Sequence, residues 1–460
     1  MKKPISYLIF IALGVILIFG SYLRFEYISR TQVINPLRKD AKLYLMYAYN
    51  WRHKHIYSKE IGNPYDLNSP VKPDSLCTPG YPLFLTPFVG GPPTDALLGK
   101  ILFSQAIISV LALGIAFLFF QSFLSRIWAV LATLLVALSP HLITASGYLL
   151  TETLFCFFLV GFGFLMSLLL KSRSYILSVL IGIAMGAANL VKPSLQYFPI
   201  VMLFFLVFHF GRKEGFKLFL GILLGFFLII SPWIARNWIT MGGESNVGLK
   251  INFLHHGMYP DFMFEGKPES YGYPYHLDPR TREITTDIPS VLKEIARRFH
   301  LEPYRHLKWY LWKKPLTFWS WSLIQGNDVF VYPILTCPYF HNKAFQWTHL
   351  IMYISHPFWV WAAMCGSLLA WLPFSGKYMS SPCVLTARFV SIVLIYFTLI
   401  HMVGTPFPRY SVPLRPFMYG MALFLLHLVT TALKKEQPEQ SKTSEIQETL
   451  IGKERLPGNP

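Results

Sequence analysis

The sequence predicts an all-α polytopic membrane protein with about 10 transmembrane helices and two large outer loops carrying interfacial helices. Composition is the first observation. Hydrophobic residues make up 53% of the 460 positions and charged residues 14%, with a mean hydropathy of +0.42. That is too apolar for a soluble chain of this length. The second observation is a recurrence of apolar stretches of crossing length, near 5–28, 97–120, 126–145, 147–170, 175–191, 195–210, 215–238, 347–372, 385–403 and 411–433. The third is the placement of the basic residues behind the formal net charge of +18. Alternate short loops carry Arg126, Lys171 and Arg173, then Arg212, Lys213 and Lys217, then Lys377 and Arg388, then Lys434 and Lys435. An excess of Lys and Arg marks cytoplasmic loops, so both termini are expected inside and the loops at about 29–96 and 239–346 outside. The basic balance suits anionic lipid head groups. No soluble basic domain exists to carry nucleic-acid binding.

The N-terminal apolar run is about twenty residues long and lacks a small-x-small cleavage site, which predicts a retained helix rather than a signal peptide. After it comes Lys39-Asp40-Ala41-Lys42-Leu43-Tyr44 through Ala48, read as a short helix at the membrane surface. Asp40, Tyr44 and Ala48 are four apart and share one face. An acid in the first turn complements the helix dipole. The first outer loop closes on Thr78-Pro79-Gly80-Tyr81-Pro82, an irregular backbone tolerated at membrane depth only beside protein or a cavity. Ser139-Pro140 precedes a fourth span that carries Glu152 near its outer end; a carboxylate there is either functional or paired for structure. Lys192-Pro193 separates two short spans, where the lysine either snorkels or binds an anion. Arg236 and Arg409 stand at the outer ends of the seventh and last spans, against the positive-inside trend.

Residues 239–290 are rich in Gly, Pro and Tyr and read as irregular, whereas Val291, Ile295 and Phe299 have helical spacing. The Trp-, Tyr- and Lys-dense stretch that follows, Leu307 to Trp321, predicts helices lying in the head-group region. The five cysteines have no metal-ligand spacing. Cys156 and Cys365 read as packing residues, while Cys77 and Cys337 lie in outer loops where pairing is the minor alternative. His255-His256 and His276 are loop histidines, and metal binding is the minor reading for them. Residues 1–433 form one membrane domain, and 434–460 read as a disordered cytoplasmic tail.

Five motifs in order resemble membrane glycosyltransferases of the GT-C class, in the bacterial branch similar to protein O-mannosyltransferases and lipid A aminoarabinose transferases. They are Asp-Ala-x-x-Tyr (Asp40, Ala41, Tyr44), Pro-Gly-Tyr-Pro (Pro79 to Pro82), Thr-Glu (Thr151, Glu152), Pro-Trp-x-x-Arg-Asn (Pro232, Trp233, Arg236, Asn237) and Arg-Tyr-x-x-Pro (Arg409, Tyr410, Pro413). The resemblance spans about residues 5–433. It implies an inverting hexosyl- or pentosyltransferase of the bacterial inner membrane. The sugar would pass on the outer face from a polyprenyl-phosphate donor to an envelope glycolipid, polysaccharide or protein. Asp40 and Glu152 would be catalytic, Arg236, Arg409 and Lys192 would hold the donor phosphate, and Tyr44, Tyr81 and Tyr410 would line the substrate cavity. No cofactor is required, although a divalent metal is compatible with the acids. One departure matters: aminoarabinose transferases carry Lys-Pro-Pro where this chain has Thr78-Pro79-Gly80, so the lysine placed there against the donor phosphate is missing. Two rivals remain. A secondary transporter would show inverted repeats and mid-span acids, and no repeat is visible. An oligosaccharide polymerase or ligase would use a lipid-diphosphate donor.

Overall fold

Helix formation follows the apolar runs and stops at prolines, glycines and charged turns. The structure, a computed structural model, describes residues 3–60, 69–91, 94–243 and 247–453. Parts of both long loops (61–68, 92–93, 244–246) and the end of the expected tail (454–460) lie outside the described residues. The chain opens with α1 (Lys3–Arg30), followed by α2 (Asp40–Lys54) and the short α3 (Gly80–Leu85). Next come α4 (Asp95–Gln121), α5 (Arg126–Leu138), α6 (Pro140–Ala145), α7 (Glu152–Ser172), α8 (Tyr175–Val191), α9 (Phe198–Phe210) and α10 (Arg212–Met241). The second long loop holds α11 (Val247–Gly257), α12 (Thr281–Ile284), α13 (Ile288–Leu301), α14 (Pro303–Lys308) and α15 (Lys314–Phe318). The last part comprises α16 (Pro338–His341), α17 (Lys343–Leu369), α18 (Pro373–Tyr378), α19 (Ser381–Val403) and α20 (Arg415–Lys453). The final helix continues into the polar segment read as a tail.

The ten predicted stretches are mostly helical, with breaks at Ser139 and over 147–151. Among the described residues six helical segments are long and apolar enough to cross a membrane: those within α1, α4, α7, α10 and α19, and Pro408–Lys435. The chain is therefore an all-α polytopic membrane protein. Three more apolar helices, α5, α8 and α9, have 10–17 residues. Proline explains the short pieces. Ser139, extended before Pro140, splits the expected 126–145 span into α5 and α6. Lys192 is extended at φ −147°, ψ 118° before Pro193 and ends α8, as the clash of a proline ring with a preceding helical residue requires.

Small residues set the closest helix pair. A Cβ on Gly182 of α8 would sit 2.0 Å from Ile222 O of α10, and one on Gly225 of α10 would sit 2.0 Å from Val179 O of α8. Glycine at both positions lets the two backbones touch, the usual way apolar helices associate in lipid. Buried cations fasten other helices. Arg24 of α1 donates to Ser109 Oγ (2.8 Å) of α4 and to Ala137 O (3.1 Å) and Val136 O (3.2 Å) of α5. Lys314 Nζ donates to Met402 O (2.9 Å) and Gly404 O (2.8 Å) and closes the end of α19.

The two long loops meet in a small antiparallel pair, β1 (Gln32–Val33) with β2 (Ile334–Thr336). Contrary to the irregular reading of 239–290, this stretch contains the eleven-residue α11 and several 3₁₀ turns. Downstream, α13 to α15 expose Leu301, Tyr304, Leu307, Leu311 and Trp312, an outward apolar row flanked by Lys308 and Lys313 that fits the expected head-group contact. Cys77 and Cys337 are both free and buried.

Candidate active site at the Asp40, Glu152 and Arg409 junction

Asp40 is the first residue of α2, and the backbone that delivers it is unusual. Lys39 stands at φ 46°, ψ −120°, a region that costs a side-chain-bearing residue about 1–3 kcal/mol. The surroundings hold it there. Tyr332 donates its hydroxyl to Arg38 O at 3.2 Å, the Arg38 guanidinium lies 5.6 Å from the Tyr332 ring centre, and Lys39 Nζ donates to the Tyr273 hydroxyl. Glu152 opens α7, where the first-turn amides favour an anion. Arg409 sits in the 3₁₀ turn Pro408–Leu414 that leads into α20. Lys192 is the extended residue that closes α8.

These four residues, distant in sequence, converge. Arg409 Nε donates to Glu152 Oε1 at 2.8 Å, and both Nη1 and Nη2 approach Asp40 Oδ2 at 3.2 Å. Lys192 Nζ stands 3.7 Å from the same Glu152 oxygen and 3.9 Å from the Tyr410 ring centre. Glu152 is 3% exposed, whereas the Asp40 side chain is 45% exposed. Two buried polar atoms of this cluster, Lys192 Nζ and Glu152 Oε2, have no hydrogen-bond partner among the described residues. Such orphans are costly unless a ligand or water meets them.

Asp40, Arg409 and Tyr410 face a cavity of about 760 Å³ whose other walls include Asn252, His255, His256 and Tyr332. Glu152 and Lys192 do not line it; they back Arg409 and Tyr410 from the protein side. Tyr332 is pushed up to about 12 by burial and by the Asp40 charge, so its hydroxyl stays a donor at neutral pH.

The other predicted residues are placed differently. Tyr44 and Tyr81 pack edge to face at 5.1 Å behind Asp40 rather than on the cavity wall. Tyr81 is fully buried, and its hydroxyl donates to Gln105 Oε1 at 2.6 Å. Burial first, then Asp40, raises Tyr44 well above the usual tyrosine range. Arg236 is not brought to the cluster. Its guanidinium donates to Asp74 O (2.8 Å), Tyr57 O (2.9 Å) and Asn237 Oδ1 (2.9 Å). It fastens the first long loop to the end of α10. The Pro79-Gly80 turn packs directly on the bundle, where a Cβ on Gly80 would lie 2.5 Å from Val191 N. Glycine there lets the turn press on the end of α8, one residue before Lys192.

The α11 wall is hidden in the sequence by the Gly, Pro and Tyr that surround it. Its signal is the i, i+3, i+4 spacing of Asn252, His255 and His256. Among the described residues no group of three His, Cys, Asp or Glu could hold a metal ion. Asp40 and Glu152 instead converge on one guanidinium, that of Arg409.

No protein-family model matches the sequence, and no curated protein matches it. Solved structures do. A crystal structure of the Archaeoglobus fulgidus oligosaccharyltransferase tethered to an acceptor peptide containing the NVT sequon matches at TM-score 0.51 and 15% identity, covering 94% of this chain and 50% of that one. The same protein in complex with zinc and sulfate matches at TM-score 0.44 and 14% identity, covering 92% and 51%. The chain spans about half the length of these neighbours. Over that half, it shares the fold of an archaeal oligosaccharyltransferase.

Proposed function

We propose that this chain is an integral membrane glycosyltransferase of the GT-C type that moves a sugar from a polyprenyl-phosphate donor to a hydroxyl acceptor with inversion. The observation that carries it is the Asp40–Arg409–Glu152 junction at the wall of a cavity large enough for a sugar and its acceptor. The fold shared with an oligosaccharyltransferase is in keeping with glycosyl transfer. The membrane domain is residues 1–433, the membrane is the bacterial inner membrane, and the cavity opens on the outer face with both termini cytoplasmic, as the loop charges suggest.

In this mechanism the acceptor oxygen attacks the anomeric carbon while the bond from that carbon to the phosphate oxygen breaks. Arg409 engages Oδ2 of Asp40, leaving Oδ1 to take the acceptor proton. A hydroxyl is a poor nucleophile at neutral pH, and a placed base contributes about 10²–10⁴ in rate. The departing lipid phosphate gains charge, and Arg409 meets it directly. Preorganised cations in a water-poor site stabilise such charge best. Glu152 is a positioning residue: from 3% exposure it fixes the Nε edge of Arg409, and Lys192 balances it from behind Tyr410.

Asp40→Asn tests the reading. It is nearly isosteric and cannot take a proton. The expected result is normal abundance with transfer from a polyprenyl-phosphate sugar reduced by about 10²–10⁴. Turnover near the parent's by a well-expressed variant removes Asp40 from the base role.

A further inference from the structure

The charged wall of the cavity has a neutral counterpart. Asn252, His255 and His256 share one face of α11, and all three line the cavity with Thr281 and Thr285. The end of α11 is fixed beside the turn that carries Arg409. A Cβ on Gly257 would lie 2.2 Å from Gly404 O, Trp309 Nε1 donates to Gly257 O at 2.9 Å, and the His256 ring meets the Phe407 ring edge at 4.8 Å.

Hydrogen-bond partners settle both histidine tautomers. The Tyr259 hydroxyl donates to Asp278 Oδ2 at 2.7 Å, so toward His255 Nε2, at 3.0 Å, it can only accept. His255 therefore carries its proton on Nε2. His256 Nε2 meets the carbonyl of Gly272 at 3.1 Å and must donate to it. Each ring is left with Nδ1, which has no partner among the described residues and is not among the sealed orphan atoms. Burial pushes both histidines down to about 4, which keeps Nδ1 a lone-pair acceptor at neutral pH. Thr281 Oγ1 donates to Tyr275 O and Thr285 Oγ1 donates to Thr281 O, so their oxygens also present acceptors.

A phosphate would face the two histidine lone pairs and the threonine oxygens, with only the Asn252 amide able to donate to it, and a peptide would offer this wall one N–H per residue. A sugar ring offers several hydroxyl donors and no charge. We propose that Asn252, His255 and His256 form a saccharide subsite that accepts hydrogen bonds from the hydroxyls of a neutral pyranose, beside the Asp40–Arg409 centre. This deepens the transferase reading and rests on it.

The ring can belong to the acceptor or to the donor, and the experiment separates them. The full chain in nanodiscs is titrated with methyl α-mannoside, methyl α-glucoside and methyl β-galactoside and followed by saturation-transfer NMR. At least one glycoside is expected to bind. His256→Ala and Asn252→Ala should each weaken it about fivefold, the scale of one lost hydrogen bond, with unchanged thermal melting; His255→Asn is the fold-sparing variant at its position. Displacement by polyprenyl-phosphate mannose but not by sugar-free polyprenyl phosphate marks the ring as the donor's. Resistance to both marks it as the acceptor's. Absence of glycoside binding, or equal binding by variants that melt like the parent, overturns the proposal. Binding of sugar-free polyprenyl phosphate is read in the same samples with Arg409→Ala; unchanged lipid affinity there counts against the donor-phosphate site, not against this wall.

Discussion

Arg236 and Arg409 look alike in sequence and end in different surroundings. Each stands near the end of a span, next to aromatic residues, with proline close by. Arg409 is held between two carboxylates and borders the cavity. Arg236 meets carbonyl groups of the first long loop, with Tyr57 and Trp233 against its guanidinium at 5.5 and 5.2 Å. Its loop partner Asp74 is engaged as well, accepting from the Tyr47 hydroxyl and from Lys59 N. An arginine whose donors end on backbone carbonyls organises chain. One held between two carboxylates at a cavity wall is the group to which the proposed reaction gives the donor phosphate.

Substituting both arginines tests that difference with the largest expected effect. Arg409→Ala should lower turnover by about 10²–10³, the scale for losing one fixed donor at a developing charge. Arg409→Lys should recover part of it, because the charge remains while the planar fork is lost. Arg236→Ala should keep specific activity per folded molecule within about threefold, yet destabilise the protein by about 1–3 kcal/mol, since carbonyls lose their donors. Thermal melting in detergent and single-turnover transfer on the same preparations separate the outcomes. A large turnover loss for Arg236→Ala at parental stability would erase the distinction.

A smaller effect is expected where a loop presses on the bundle. Gly80→Ala forces a Cβ to within 2.5 Å of Val191 N and 2.7 Å of Leu190 O. The Pro79-Gly80 turn must then retreat from the end of α8 and from Lys192. Turnover should fall about tenfold, with a lower melting temperature. Gly99→Ala in α4 meets nothing within 4 Å and is the control; helix propensity alone makes it neutral or slightly stabilising. Equal behaviour of the two variants would show that the turn has room to adjust.

The membrane helices were legible because apolar periodicity and proline breaks are local signals. So was the order of Asp40, Glu152, Lys192 and Arg409, each an ionisable group beside an apolar run. What local signals cannot carry is pairing across the chain. Nothing near Arg236 in sequence announces Tyr57 O and Asp74 O as its partners, 179 and 162 residues away. Nothing near Tyr81 predicts that Gln105 would draw it into the core. The strained backbone at Lys39 also depends on distant Tyr273 and Tyr332. Arg24 lay inside the first predicted span as a visible clue, since a charge there needs buried partners, and it found them in α4 and α5.

The smallest expected effect is a change in acid sensitivity of the loop-built wall. Burial holds His255 and His256 at about 4 in the folded protein, against about 6.5 in an unfolded chain. Between those values the unfolded chain binds more protons, so folding stability is full above about pH 6.5 and declines as pH falls toward 4. The groups facing His255 are Asp278 and Glu294, which favour its proton, and Arg298, which opposes it. Around His256 the Gly272 carbonyl favours the proton, while His255 and His276 oppose it. Glu294, pushed down to about 2 by Arg297 and Arg298 against its burial, loses its contribution only below the ordinary carboxylate range. Its titration therefore lies at more acid pH than that of the histidines. Other histidines titrate too, so the informative quantity is a difference in slope. The His255→Asn, His256→Asn double variant should melt with a shallower dependence on pH from 7 to 5 than the parent. Parallel slopes would mean that these two rings are not kept neutral by the fold, and the lone pairs assigned to the sugar-binding wall would lose their basis.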